Sequence, residues 1–270
     1  MITDSHCHLA SAHFSSDERM EIIRRANAAG VHRIVTLATC LEDLPLNLQL
    51  ADDPCVMATI GIHPCDVHNA PDDAVRQLAA FTGDRRVCAI GETGLDYFHP
   101  TPDGWKETEF RNRQREFLTQ HFEIAASAGL NVVIHTRDRQ GHGSFEDALR
   151  IYAEHATQVR AVFHCFVSEW ELAERVIEMG GLVSFGGVVT FKNADLVKAA
   201  VKRCAAGSFM LETDSPYLAP EPMRGKRNEP ALVLRTAEAV AALRGETLPE
   251  LAEHTEEAAR MFFRWRNDST

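Results

Sequence analysis

The stretch Phe117-Leu-Thr-Gln-His-Phe-Glu-Ile-Ala-Ala-Ser-Ala-Gly-Leu-Asn-Val-Val-Ile-His135 contains one unit of a repeating pattern. Phe117, His121 and Ile124 recur at helical spacing, Gly129 stands where positive φ ends a helix at least cost, and Asn131–His135 is a short β-branched run. Working outward, similar apolar runs lie at Met1–Leu9, Val31–Ala38, Val56–Ile62, Val87–Glu92, Val159–His164, Gly181–Phe185 and Ser208–Asp214. Gly30 and Gly180 repeat the junction seen at Gly129, and two further helices are expected near Pro230–Leu243 and Leu248–Trp265. Eight strand–helix units with no long linker predict an α/β fold of the (β/α)8 TIM-barrel type, one domain over residues 1–270; an open doubly wound sheet is the alternative. No Gly-rich dinucleotide loop or Walker A sequence follows any strand, which favours the barrel. The Pro-rich stretches His99–Gly104 and Ser215–Pro230 directly follow strand ends and read as loops over an active face.

Composition narrows the function. Among 270 residues, 28 are basic and 39 acidic, a net charge of −11, so a grip on nucleic acid or an anionic membrane by overall charge is excluded and any phosphate must be met locally. No apolar run approaches the roughly 18 to 20 residues of a membrane helix, and Met1–Leu9 carries Asp4, His6 and His8 where a signal peptide would be apolar; a cytoplasmic protein is expected. The seven Cys form no Cys-x-x-Cys pair and read as reduced, mostly buried thiols. There are 13 His without a His-rich tract.

Period-2 alternation on the first strand points His6 and His8 to one face and Cys7 to the other. Glu92, His135, His164 and Asp214 each stand at the C-terminal end of a predicted strand, and a closed barrel gathers those ends on one rim. Four imidazoles and two carboxylates exceed the needs of one tetrahedral zinc, whereas two divalent ions about 3.5 to 4 Å apart use all six. The donor types suit Zn, Mn, Co or Fe, and Mg where water completes the shell. Asp214 is the candidate base, and a plain ligand role is compatible with that. Glu212 shares its face by period 2 and is expected one layer deeper, accepting from a ligand histidine N–H. Arg224-Gly-Lys226-Arg227 follows the last strand as a phosphate clamp, against the alternative of a loop paired with Glu221 and Glu229, and Arg137 is a second cation in reach. His13, His32, His68, His99, His121, His155 and His254 are expected away from the rim, with Cys7 and Cys165 turned outward under the helices.

Met1-Ile-Thr-Asp-Ser-His-Cys-His-Leu, Gly61-Ile-His-Pro, Gly91-Glu-Thr-Gly-Leu-Asp-Tyr, Val133-Ile-His, Phe163-His-Cys-Phe, Leu211-Glu-Thr-Asp-Ser-Pro-Tyr-Leu and Arg224-Gly-Lys-Arg-Asn-Glu-Pro, in this order, resemble the signatures of the TatD family of metal-dependent deoxyribonucleases. The resemblance implies a (β/α)8 barrel and hydrolysis of DNA through two divalent cations, Mg, Mn or Zn. It also implies 3′–5′ trimming of single-stranded ends, with no obligate protein partner. It further implies that His6 and His8 hold one metal with Asp214 close by, that Glu92 bridges, and that His135 and His164 hold the second. His63 falls in the family's Gly-Ile-His-Pro and reads as a donor to phosphate or to a ligand, against a turn histidine.

Two departures from the family pattern stand out. Arg137-Asp-Arg-Gln-Gly-His-Gly-Ser144 looks longer than usual after His135 and is expected to bring His142 beside the metals. Ala258 replaces a frequent Asn in a helix remote from the chemistry. Carboxyl ester, amide or deaminase chemistry is a rival, but barrels of that kind tend to bridge their metals with a modified lysine, where this chain has Glu92. A non-catalytic binding protein is the third reading.

Overall fold

Among the described residues, 1–265, eight strands and nine α-helices alternate in the computed structural model. The strands are β1 (Ile2–Cys7), β2 (Val31–Leu37), β3 (Val56–Ile60), β4 (Val87–Tyr97), β5 (Val132–Asp138), β6 (Ala161–Phe163), β7 (Leu182–Phe185) and β8 (Phe209–Leu211). The helices are α1 (Arg19–Ala28), α2 (Leu44–Leu50), α3 (Ala74–Ala79), α4 (Glu107–Ala128), α5 (Gly143–His155), α6 (Trp170–Glu178), α7 (Asp195–Arg203), α8 (Val233–Arg244) and α9 (Leu248–Phe263). Each strand pairs in parallel with the next, in the order β1 to β8. The ring closes just past β8, where Asp214 N–H donates to the His6 carbonyl at 2.9 Å and His8 N–H to that of Ser215 at 2.8 Å. Below this closure Asp4 accepts from Thr213 N–H at 2.8 Å and from its hydroxyl at 2.6 Å, tying the two sides of the seam.

Strand alternation divides the core. Outward side chains such as Ile34, Val132 and Ile134 pack under the helices, while Val35, Leu37, Val133, Val162, Leu182 and Met210 form a separate cluster with Ala258, Ala259, Phe262 and Phe263 of α9. The last turns of α9 therefore plug one end of the barrel, and Ala258 is part of that plug. Thr247 begins α9 with a capping box closed by Glu250.

The expected helix–strand junctions have positive φ, +97° at Gly30, +67° at Gly129 and +81° at Gly180. Two strands run well past their expected ends, whereas β6 and β8 stop short of theirs, at Phe163 and Leu211. β4 runs on to Tyr97 and β5 to Asp138, so the loop expected to be long after His135 shrinks to residues 139–142. It is closed by the Asp138 carboxylate, which accepts from Ser144 N–H at 2.9 Å and from its hydroxyl at 2.6 Å. Here β4 and β5 approach so closely that a Cβ on Gly94 would lie 2.0 Å from the His135 carbonyl oxygen. No described helix is long and apolar enough to cross a membrane.

Candidate metal centre

The alternation that turns Val133 inward turns His135 inward one layer higher, at the end opposite the α9 plug, and His164 and Glu212 stand one residue past the ends of β6 and β8. His6 and His8 enter from β1, with Nε2 atoms 3.3 Å apart. Asp214 reaches the same point from beyond the end of β8 with φ +54°, a left-handed conformation that Asp tolerates better than most residues.

Glu92 lies at the centre, 2% exposed. Its Oε2 faces His6 Nε2 at 3.5 Å and His8 Nε2 at 3.4 Å; its Oε1 faces His164 Nε2 at 2.9 Å, His135 Nδ1 at 3.0 Å and His63 Nε2 at 3.5 Å. The His135 and His164 nitrogens are themselves 3.3 Å apart. Asp214 Oδ1 is 3.5 Å from His8 Nε2 and 3.7 Å from His6 Nε2. Two nitrogens each 2.1 Å from one tetrahedral ion stand about 3.4 Å apart, so both imidazole pairs have the spacing of two ligands on one cation. Glu92 Oε2 is buried and has no hydrogen-bond partner, and such an oxygen is costly unless a cation meets it. The residues present thus fit divalent metal. Among the described residues, the sets of three able to hold an ion are His6, His8 and Asp214; His63, Glu92 and His135; His6, His164 and Glu212; and Cys65, Asp96 and His99.

The surrounding imidazoles keep the carboxylates ionised. Burial alone would push Glu92 up, but His63, His164 and His135 outweigh it and hold the carboxyl well below its usual range. Burial also raises Asp214, and the hydrogen bond from His8 with the nearby His6 and His164 lowers it by more. Burial takes His63 down to about 3 despite the nearby Glu92, so its ring is neutral. Cys65 N–H donates to its Nδ1 at 3.1 Å, which places the His63 proton on Nε2, toward Glu92.

The chain matches the family described as TatD related DNase over residues 3–264. It is 36% identical over 267 residues to the uncharacterized metal-dependent hydrolase YcfH of Escherichia coli K12, covering 97% of this chain and 95% of that protein. The chain belongs to the TatD family of metal-dependent hydrolases. The uncharacterized metal-dependent hydrolase YabD of Bacillus subtilis is 34% identical over 266 residues, covering 98% and 99% of the two chains. The crystal structure of YJJV, a TatD homologue from Escherichia coli K12, superposes with a TM-score of 0.87 at 27% identity and 98% coverage of both chains.

Several positions in this TatD-family chain differ from expectation. Glu212 is fully buried, yet its hydrogen bonds come from the Cys165 amide at 2.7 Å and the Ser184 hydroxyl at 2.5 Å, with His164 Nδ1 farther off at 3.7 Å. Cys165 has φ +47° and lines the cavity instead of turning outward, because β6 ends at Phe163 and alternation stops there. His99 also lines the cavity, and its Nδ1 lies 2.9 Å from Asp96 Oδ2. His142 turns away to Glu169 at 2.9 Å, so the residues after His135 do not bring it beside the candidate ligands.

The basic loop is not a preformed clamp. Arg227 pairs with Glu18 at 2.6 Å instead of Glu221 or Glu229, and Glu229 takes Arg25 at 2.5 Å. Neither Arg224, Lys226 nor Arg227 lines the central cavity of about 720 Å³; Arg137 does, its guanidinium 4.1 Å from the centre of the Phe98 ring. Sequence reasoning missed Asp96. Its Oδ2 lies 3.0 Å from His135 Nε2, and its Oδ1 accepts from the Phe98 and His99 amides at 2.9 and 2.8 Å. Asp96 is four residues after Glu92 in the Gly91–Tyr97 motif, a spacing that would have signalled it had the strand been carried past Glu92.

Proposed function

We propose that this chain is a deoxyribonuclease that hydrolyses DNA phosphodiester bonds through a two-metal centre in the cytoplasm, removing nucleotides from the 3′ end of a single strand. The observation that carries the two-metal reading is the division of Glu92: one oxygen faces His6 and His8, the other His135 and His164. His6, His8 and Asp214 would hold one cation and His135 and His164 the other, with Glu92 shared. Divalent cations bound there supply Lewis acidity toward the phosphoryl oxygens and a nucleophilic water at neutral pH.

The chain's own groups do the rest. Asp214, ionised and close to the rim, accepts the proton of the attacking water at a carboxylate oxygen. His63 directs its Nε2 proton to Glu92 and holds that carboxylate in place. Arg137, on the cavity wall, meets a phosphate oxygen. With a net charge of −11, the chain engages DNA at this rim and not over its whole surface. Strand polarity and the preference for single-stranded ends rest on the likeness to the family, and the cytoplasmic setting is supported by seven cysteines that are all free.

Metal-stripped protein given Mg, Mn, Zn or Co and a 5′-labelled single strand should produce a ladder shortening from the 3′ end, lost in Glu92→Ala and Asp214→Asn. No cleavage with any of the four metals would sink the nuclease reading. A 3′-labelled strand that loses its label last would reverse the polarity.

A further inference from the structure

The cavity above the metal centre continues sideways. Val167 and Val188 belong to its wall and also line a second groove, whose other sides include Phe191, Leu196 and Arg224. The Arg224 guanidinium stands 4.4 Å from the centre of the Phe191 ring. Leu196 is 57% exposed and Val167 49%, a grouping of apolar side chains beside a polar catalytic rim. Arg224 makes no ion pair with a described carboxylate, although Arg227, three residues on, is neutralised by Glu18. Asp195 is the acidic side chain on the groove.

We propose that this groove is the subsite for the next nucleotide of the strand. The terminal nucleotide occupies the cavity, the chain leaves over Val167 and Val188, the next base packs against Phe191 and Leu196, and Arg224 holds its phosphate. The inference rests on the phosphodiesterase reading above and adds the path of the polymer. Its physical basis is that an unpaired base offers an apolar face to an aromatic ring, whereas a duplex keeps that face stacked on its neighbours. A cation without a carboxylate partner, its guanidinium 4.4 Å from the centre of the same ring, suits the accompanying phosphate. Continuity through two shared valines makes the groove an extension of the reaction cavity.

The test compares hydrolysis of a single-stranded octanucleotide with that of bis(p-nitrophenyl) phosphate, which carries neither a nucleobase nor a second phosphate. For Phe191→Ala and Arg224→Gln, the ratio of kcat/KM on the octanucleotide to that on the small diester should fall about tenfold, through KM on the octanucleotide. Phe191→Trp should restore the ratio to within about twofold of wild type. A ratio unchanged in both variants, or an equal loss on both substrates, overturns the subsite. If wild type hydrolyses the small diester but no octanucleotide, the DNA reading itself falls and takes the subsite with it; that outcome is recognised without any variant.

Discussion

Asp96 holds the far nitrogen of His135: Asp96 Oδ2 lies 3.0 Å from Nε2, while Nδ1 of the same ring meets Glu92. A carboxylate behind a ligating imidazole fixes the ring's tautomer and raises its basicity, and losing such a partner costs about 10- to 100-fold in metal affinity. Asp96→Ala should weaken binding by that factor in a competition titration with a zinc chelator. Asp96→Asn, which keeps an acceptor oxygen, should fall between the alanine variant and wild type. Equal affinity in all three proteins would remove Asp96 from the metal centre.

Glu92 and His8 differ in reach. His8 faces one oxygen of Glu92, whereas Glu92 serves both imidazole pairs. Metal analysis after dialysis should show Glu92→Ala losing nearly all bound metal and His8→Ala about half. Activity of Glu92→Ala should drop by about 10²-fold or more, as when a preorganised electrostatic group is removed. Full metal content in Glu92→Ala would contradict the bridging role.

Metal removal should also show in stability. A ligand at 100 times its Kd stabilises the folded state by about 2.7 kcal/mol, which for a chain of this size is a melting shift of roughly 5–10 °C. Excess chelator should lower the Tm of wild type by that amount and leave Glu92→Ala unmoved.

His121 gives a pH dependence unrelated to metal. It is fully buried, its Nε2 accepts from the Ile62 amide at 3.1 Å, and its Nδ1 bonds to the Phe117 carbonyl at 2.6 Å. Burial lowers its pKa to about 4, the Phe117 bond notwithstanding. Above about pH 6.5 folded and unfolded chains both carry a neutral ring, so the stability it contributes is fully present. As pH falls from about 6.5 to 4 only the unfolded chain takes up the proton, and stability is lost. Urea unfolding at pH 7.5 and pH 5 should show wild type losing about 2 kcal/mol more than His121→Gln. Parallel losses in the two proteins would mean that another group governs the acid limb.

The barrel was readable because its signals are local: the apolar runs, the helical spacing at Phe117, His121 and Ile124, and the glycines between them lie within a few residues of one another. The same period that identified strands put His6 and His8 on one face, and their places at strand ends put His135 and His164 on the rim. Asp214 was found for a partly wrong reason, since the chain leaves the sheet at Leu211 and reaches the rim through a left-handed residue. Asp96 was hidden by ending its strand too early. His99 and Cys165 depend on how chain beyond a strand folds back, which alternation does not address. The partner of Arg227 lies 209 residues away at Glu18, and no local rule reaches that far.

Helix α9 supplies Phe262 and Phe263 to the barrel interior, while its Glu256 meets the Thr3 hydroxyl at 2.6 Å and His32 at 3.0 Å. β1, synthesised long before α9, therefore waits for that helix before its lower end is covered. Until α9 has been synthesised, the nascent barrel exposes an apolar mouth on the side opposite Glu92 and its histidines. Chains cut before Leu248 should be held by chaperones or aggregate, even though every residue assigned here to metal or substrate is already present in them.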